Sequence, residues 1–125
     1  MAKILMVDDS KTSRKILRGI LEESGHEVIG EAENGEVGFI KYKELKPDVV
    51  TMDITMPKMD GLECLKVIKH FDSEAKVIMV TAAGQKDKMM DAIKNGASEF
   101  VTKPFDEAEI KKAIAKVVGE LYSVD

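Results

Sequence analysis

Five short apolar runs alternate along the chain with five segments of helical spacing, and this alternation is the feature that most restricts the fold. The runs are Ile4–Val7, Val28–Ile29, Val49–Met52, Val77–Val80 and Phe100–Val101. The first, third and fourth are nearly continuous hydrophobics, the mark of parallel strands covered on both faces. The second and fifth are shorter and read as edge strands. Between them, apolar stripes recur at helical spacing: Ile16, Leu17, Ile20 and Leu21; Val37, Ile40 and Leu45; Leu62, Leu65, Ile68 and Phe71; Met89, Met90, Ala92 and Ile93; and Ile110, Ala113, Ile114, Val117, Val118 and Leu121. These stripes are read as core faces. Ser10 and Asn34 are placed to cap helices, Asp106 with Glu109 fits a capping box, and Gly25 and Gly96 sit where helices stop. Strands alternating with helices over 125 residues predict one α/β domain, residues 1–125, built as a (βα)5 doubly wound parallel sheet with right-handed crossovers. The segment after Leu121 has only four residues, so no output domain is expected.

Composition removes several classes of function. Lys and Arg total 19 against 23 Asp and Glu, a formal charge of −4 with no basic block, which argues against nucleic-acid or anionic-membrane binding. A single cysteine, Cys64, excludes an internal disulfide and a cysteine-rich zinc site. No apolar run approaches the ~20 residues of a membrane span. The N-terminal apolar stretch is too short for a signal peptide, so the cytoplasm is the expected compartment.

In open α/β sheets, ligands bind beyond the carboxyl ends of the strands. Asp8 and Asp9 follow the first strand, Asp53 the third, Thr81 the fourth and Lys103 the fifth, with Pro104 next. Glu33 and Asn34 follow the second, to the side. Each residue alone is more often a turn former, a cap or a solvated charge. Together they place three carboxylates, a hydroxyl and an ammonium on one edge. Three carboxylates and one lysine sum to −2, and crowded like charges resist ionisation unless a cation joins them. The ligands are hard oxygens, which favours Mg²⁺ over zinc. A carboxylate beside such an ion can attack phosphorus, with the lysine and hydroxyl binding the transferred oxygens. The predicted chemistry is formation and hydrolysis of an aspartyl phosphate.

The segments VDDS at 7–10, MDITMPKMDG at 52–61, VTAAG at 80–84 and KPF at 103–105 together make a specific signature. On these, the chain resembles the receiver domain of two-component response regulators, closely the single-domain CheY-like chemotaxis type, over nearly its whole length. The resemblance implies a flavodoxin-like fold with strand order 2-1-3-4-5. It implies Asp53 as phosphoacceptor, Asp8, Asp9 and Asp53 with the Thr55 backbone carbonyl as Mg²⁺ ligands, and Lys103 as the salt-bridging lysine. It implies a cis Lys103–Pro104 bond. Thr81 is the hydroxyl that turns toward the phosphoryl group, and Phe100 the aromatic that moves inward with it. Thr55, Ala82 and Ala83 flank and modulate the site. The expected donor is a CheA-like histidine kinase. The expected partner is a motor switch, flagellar or archaellar, or another protein target on the face of helix four, strand five and helix five, met by a monomer with no nucleic acid or membrane involved. Met89 and Met90 lie on helix four, one as contact surface and at least one as core.

One alternative lies within this class, a degenerate receiver acting as a static binding module is disfavoured because every phosphorylation residue is present, and two more alternatives are of other classes. A phosphorelay receiver would pass phosphate on to a histidine phosphotransferase. An Mg²⁺-dependent phosphohydrolase of the haloacid dehalogenase type wants an acid two residues after the nucleophile, where this chain has Thr55. A flavodoxin-like cofactor carrier wants a phosphate-cradling loop, where this chain has DDSKTS. His26 and His70 are read as surface residues, Cys64 as packing, and Lys111, Lys112 and Lys116 as a solvated face.

Overall fold

The computed structural model describes residues 1–121, with Glu120 and Leu121 described only as helical backbone. Five strands and five helices alternate: β1 (Lys3–Val7), α1 (Lys11–Glu23), β2 (Glu27–Ala32), α2 (Gly35–Leu45), β3 (Val49–Asp53), α3 (Gly61–Phe71), β4 (Val77–Thr81), α4 (Lys86–Lys94), β5 (Glu99–Thr102) and α5 (Glu107–Leu121). All strand pairs are parallel, in the order β2-β1-β3-β4-β5. The two short apolar runs are the two edges, as their length implies. The three continuous runs are the interior strands, and β3 and β4 are buried at every residue.

The pleat sends alternate strand residues to two cores. Leu5, Val7, Val50, Met52, Val77 and Met79 face one layer, completed by Tyr42 of α2, Cys64, Leu65 and Ile68 of α3 and Ala92 of α4. Ile4, Met6, Val49, Ile78 and Val80 face the other, completed by Leu17 and Leu21 of α1 and Ile110, Ile114 and Val117 of α5. Helices therefore cover both faces of the sheet, and the site is left to the loops at its carboxyl edge.

Several stripe residues are not core. Ile16, Ile40, Leu45, Phe71, Met90 and Ile93 are exposed, because each sits at the rim of its helix's apolar arc. Phe71 instead packs edge-on against Phe39 and Tyr42, at centroid distances of 5.9 and 6.4 Å. In α4 only Ala92 is buried; Met89 is half-buried and Met90 half-exposed, so neither methionine fills the core. Leu121's side chain and the Tyr122–Asp125 tail lie outside the described residues.

Ser10 and Asn34 cap α1 and α2 as expected, each accepting from the backbone N–H three residues on. Asp106 accepts from the Ala108 and Glu109 N–H groups, but the Glu109 carboxylate turns to the Thr102 N–H at 2.7 Å, so the box is half formed. The reciprocal box is at α3, between Asp60 and Glu63. His26 is half-buried, not a free surface residue: its Nδ1 accepts the Ala2 N–H at 3.1 Å. His70 is exposed and Cys64 fully buried. Lys111 and Lys116 pair with Glu107 and Glu99 on the surface, where such pairs contribute little.

Candidate functional site

Val7 and Met52 are in register, so the carboxyl ends of β1 and β3 lie side by side. Asp8 leaves β1 directly into this edge and is 4% exposed. Its N–H donates to the Ala32 carbonyl at 2.9 Å, and its Oδ1 accepts from the Ser10 N–H at 2.8 Å. Its carbonyl accepts from Arg14 Nη1, and Glu31 of β2 holds Arg14 at 2.8 Å. Both α1 and β2 thus fix the Asp8 backbone. Asp9, next to it, is exposed.

Asp53 ends β3 in register with Val80 and is 8% exposed. The chain then loops out and returns so tightly that the Gly61 N–H reaches the Ile54 carbonyl at 2.7 Å. A Cβ at Gly61 would lie 1.9 Å from the Asp53 carbonyl oxygen, so only glycine lets α3 begin there. The capping box at Asp60 and Glu63 starts α3 at that point. The downstream MPKMDG segment is therefore the device that seats the Asp53 backbone.

One carboxylate oxygen from each of Asp8, Asp9 and Asp53 lies within 4.8 Å of the others. Lys103 reaches this cluster from the end of β5: its Nζ is 2.9 Å from Asp8 Oδ2 and 3.5 Å from Asp53 Oδ2. The Lys103 N–H donates to the Thr81 carbonyl at 2.7 Å, and the Lys103–Pro104 bond is cis. Burial, the charge of Asp8 and then that of Asp9 push the Asp53 carboxyl up from its ordinary 3.8 to about 6, against the opposing pull of Lys103. Burial works to lower the Lys103 pKa, but its hydrogen bond to Asp8 and the charges of Asp53 and Asp8 outweigh it, so the net shift is upward. A carboxylate so destabilised by its neighbours gains from any added positive charge. Three closely spaced carboxylate oxygens suit a small hard divalent cation.

The Thr81 hydroxyl is buried and donates to the Val101 carbonyl at 3.4 Å. Phe100 is half-buried against the core on the side of α2, α3 and α4. Thr55, Ala82 and Ala83 are exposed at the mouth. Glu33 and Asn34 do lie to the side, lining with Asp9, Pro57 and Lys58 an open groove of about 360 Å³.

Two contributors carry no mark in the sequence. Arg14 lies in the helical stretch after VDDS, where nothing marks an arginine as a backbone clamp. Gln85 lies just past VTAAG; its Oε1 accepts the Ala82 N–H at 2.7 Å and its Nε2 donates to the Thr55 hydroxyl at 2.6 Å.

Comparison with known proteins agrees with this geometry. The sequence profile of the response regulator receiver domain matches residues 4–115. Chemotaxis protein CheY of Bacillus subtilis is 48% identical over 117 residues, covering 94% of this chain and 98% of that protein. Protein CcdB of the same organism is 46% identical over 119 residues, covering 95% and 99%. A chain in the crystal structure of the CheX–CheY–BeF3–Mg²⁺ complex from Borrelia burgdorferi superposes with a TM-score of 0.85 at 40% identity, covering 98% of this chain and 90% of that one. With matches of this extent, fold and sequence agree: the chain belongs to the response regulator receiver domain family and is CheY-like within it.

Proposed function

We propose that this protein is a phosphorylation-dependent switch that takes a phosphoryl group from a CheA-like histidine kinase onto Asp53, with Mg²⁺, and then engages a protein target in chemotaxis. The observation that carries the reading is the cluster of Asp8, Asp9 and Asp53 with Lys103 bridging Asp8 and Asp53. The Asp8, Asp9 and Asp53 carboxylates and the Thr55 carbonyl would hold the ion. When bound, Mg²⁺ supplies the positive charge that lets an anionic carboxylate meet an anionic phosphoryl group. A similar chain's presence in a complex with Mg²⁺ supports this assignment.

An Oδ oxygen of Asp53 attacks the phosphorus of a phosphohistidine. The O–P bond forms as the P–N bond breaks, and the imidazole keeps the electron pair and takes a proton. Lys103 offsets charge on the new group, and Thr81 gives up its long bond to Val101 to donate to a phosphoryl oxygen. The space vacated draws Phe100 inward, and the face of α4, β5 and α5 is repacked, a shift between two populated arrangements. That face already carries half-exposed Met90 and Ile93, and a groove of about 310 Å³ lined by Phe100, Lys112 and Lys116 among others. Water attack on phosphorus returns the Asp53 carboxylate and ends the signal. Beyond this turnover of its own phosphoryl group the protein is not an enzyme. The CheY-named relatives are chemotaxis proteins, which supports an output in chemotaxis, and a motor switch is the target proposed. The phosphohydrolase alternative finds no acid at position 55, where the Thr55 hydroxyl is held by Gln85. Among the described residues no helix is long and apolar enough to cross a membrane.

The test is the intact mass after incubation with a small-molecule acyl phosphate. An Mg²⁺-dependent gain of one phosphoryl group, absent in Asp53→Asn, supports the reading. An equal gain in Asp53→Asn overturns it.

A further inference from the structure

Gln85 immediately precedes α4, and its side chain makes no capping bond to that helix. Instead the amide folds back across the site. Gly84, at φ +86°, permits the reversal that brings Gln85 over Ala82, a conformation other residues adopt only with strain. The Gln85 Oε1 then takes the Ala82 N–H at 2.7 Å, while its Nε2 holds the Thr55 hydroxyl at 2.6 Å. One side chain therefore ties the loop after β4 to the loop after β3, two residues beyond Asp53.

Resting on the phosphoryl-switch reading above, we propose that Gln85 is a latch across the mouth of the site, closed in the unphosphorylated protein and opened by the phosphoryl group on Asp53. Three observations converge. Ala82 follows Thr81 at the edge from which a group on Asp53 must project. Its N–H is a ready donor for an anionic oxygen, and Gln85 occupies it. Charge-assisted hydrogen bonds are stronger than neutral ones, so a phosphoryl oxygen outcompetes the Gln85 carbonyl for this donor. Gln85 must release Ala82 for that exchange, and Thr55 is freed with it. α4 has no side-chain cap of its own, and the latch joins the residue before its first turn to the site. Its opening passes the chemical event to the face that carries Met90 and Ile93. Gln85 acts through Ala82 and Thr55 and is a positioning residue.

The latch sets how often the mouth is open to a donor. Its two hydrogen bonds join loops at an exposed edge and together favour the closed form about fourfold, so it is open about one time in five. Gln85→Ala should therefore take up phosphate from a small-molecule acyl phosphate about fivefold faster than wild type at saturating Mg²⁺. Thr55→Val should give a smaller rise, and Gln85→Ala with Thr55→Val no more than Gln85→Ala alone, because both act on one bridge. A general loosening of the fold would make the two effects add. Amide hydrogen exchange at Ala82 supplies a readout that needs no phosphorylation. The amide should be protected in wild type and exchange about fivefold faster or more in Gln85→Ala.

If wild type takes up phosphate on Asp53 while Gln85→Ala matches it in both uptake and Ala82 exchange, the latch is wrong and the switch reading survives. Additive effects of the two substitutions also overturn the latch. If wild type takes up no phosphate while Mg²⁺ is bound, the switch reading fails and the latch falls with it.

Discussion

Replacing Asp53 by Asn should make the metal-free protein more stable at neutral pH, although it removes the residue on which the proposed function depends. Asp53 is buried beside Asp8 and Asp9, and its carboxyl titrates at about 6 against an ordinary 3.8. The native state therefore binds this proton more tightly than the unfolded chain does. The resulting stabilisation is complete below the unfolded value and is lost as pH rises through about 6. Above that, an ionised Asp53 burdens the fold. The gap is about two decades of proton affinity, and at about 1.36 kcal/mol per decade it amounts to about 3 kcal/mol. Asn has the shape of Asp without its charge, so Asp53→Asn should recover up to about 3 kcal/mol at pH 7.5 and close to nothing at pH 4. Lys103, 3.5 Å from Asp53 Oδ2, loses one of its two partners in the variant, which makes this figure an upper limit. Urea unfolding in EDTA at several pH values measures the difference. Mg²⁺ at ten times its dissociation constant should stabilise the wild type by about 1.4 kcal/mol and the variant less. A variant less stable than wild type at pH 7.5, or a difference that does not change with pH, would rule out a charge burden at Asp53.

Other expectations follow from single contacts. Gly61→Ala drives a Cβ to 1.9 Å from the Asp53 carbonyl oxygen, so it should cost about 3 kcal/mol or more in urea unfolding and slow phosphoryl uptake, whereas Gly19→Ala, with open space around it, should not destabilise. Asp60→Ala removes half of the α3 capping box and should cost about 1 kcal/mol by the same assay. Burial, with the nearby N-terminal charge, lowers the His26 pKa, so His26 favours the fold while neutral and loses this contribution as pH falls below its unfolded 6.5. The stability advantage of wild type over His26→Gln should accordingly shrink between pH 7.5 and 5; a constant difference would contradict the burial that holds His26 neutral.

The sheet was legible because continuous hydrophobic runs and edge-length runs differ, and that difference placed β1, β3 and β4 inside and β2 and β5 outside. The site was legible because its residues fall immediately after strands, where a parallel sheet gathers them. Helix faces were less so. The spacing that finds Leu65 and Ile68 also collects Phe71, since periodicity marks an arc and not its rim. The half-formed box at Asp106 shows a similar limit: Glu109 had a second suitor in Thr102, brought close only by the fold. Gln85 and Arg14 escaped for the same reason, because their partners are backbone groups and a hydroxyl set by loop geometry.

In the proposed cycle Asp53 itself becomes the acyl phosphate. The most direct test is borohydride reduction of the protein after treatment with Mg²⁺ and an acyl phosphate, followed by peptide mass mapping. Reduction of an aspartyl phosphate converts that residue to homoserine. Homoserine is expected at position 53 alone, with none when Mg²⁺ is withheld. Homoserine at Asp8, Asp9 or elsewhere, with Asp53 intact, would contradict it.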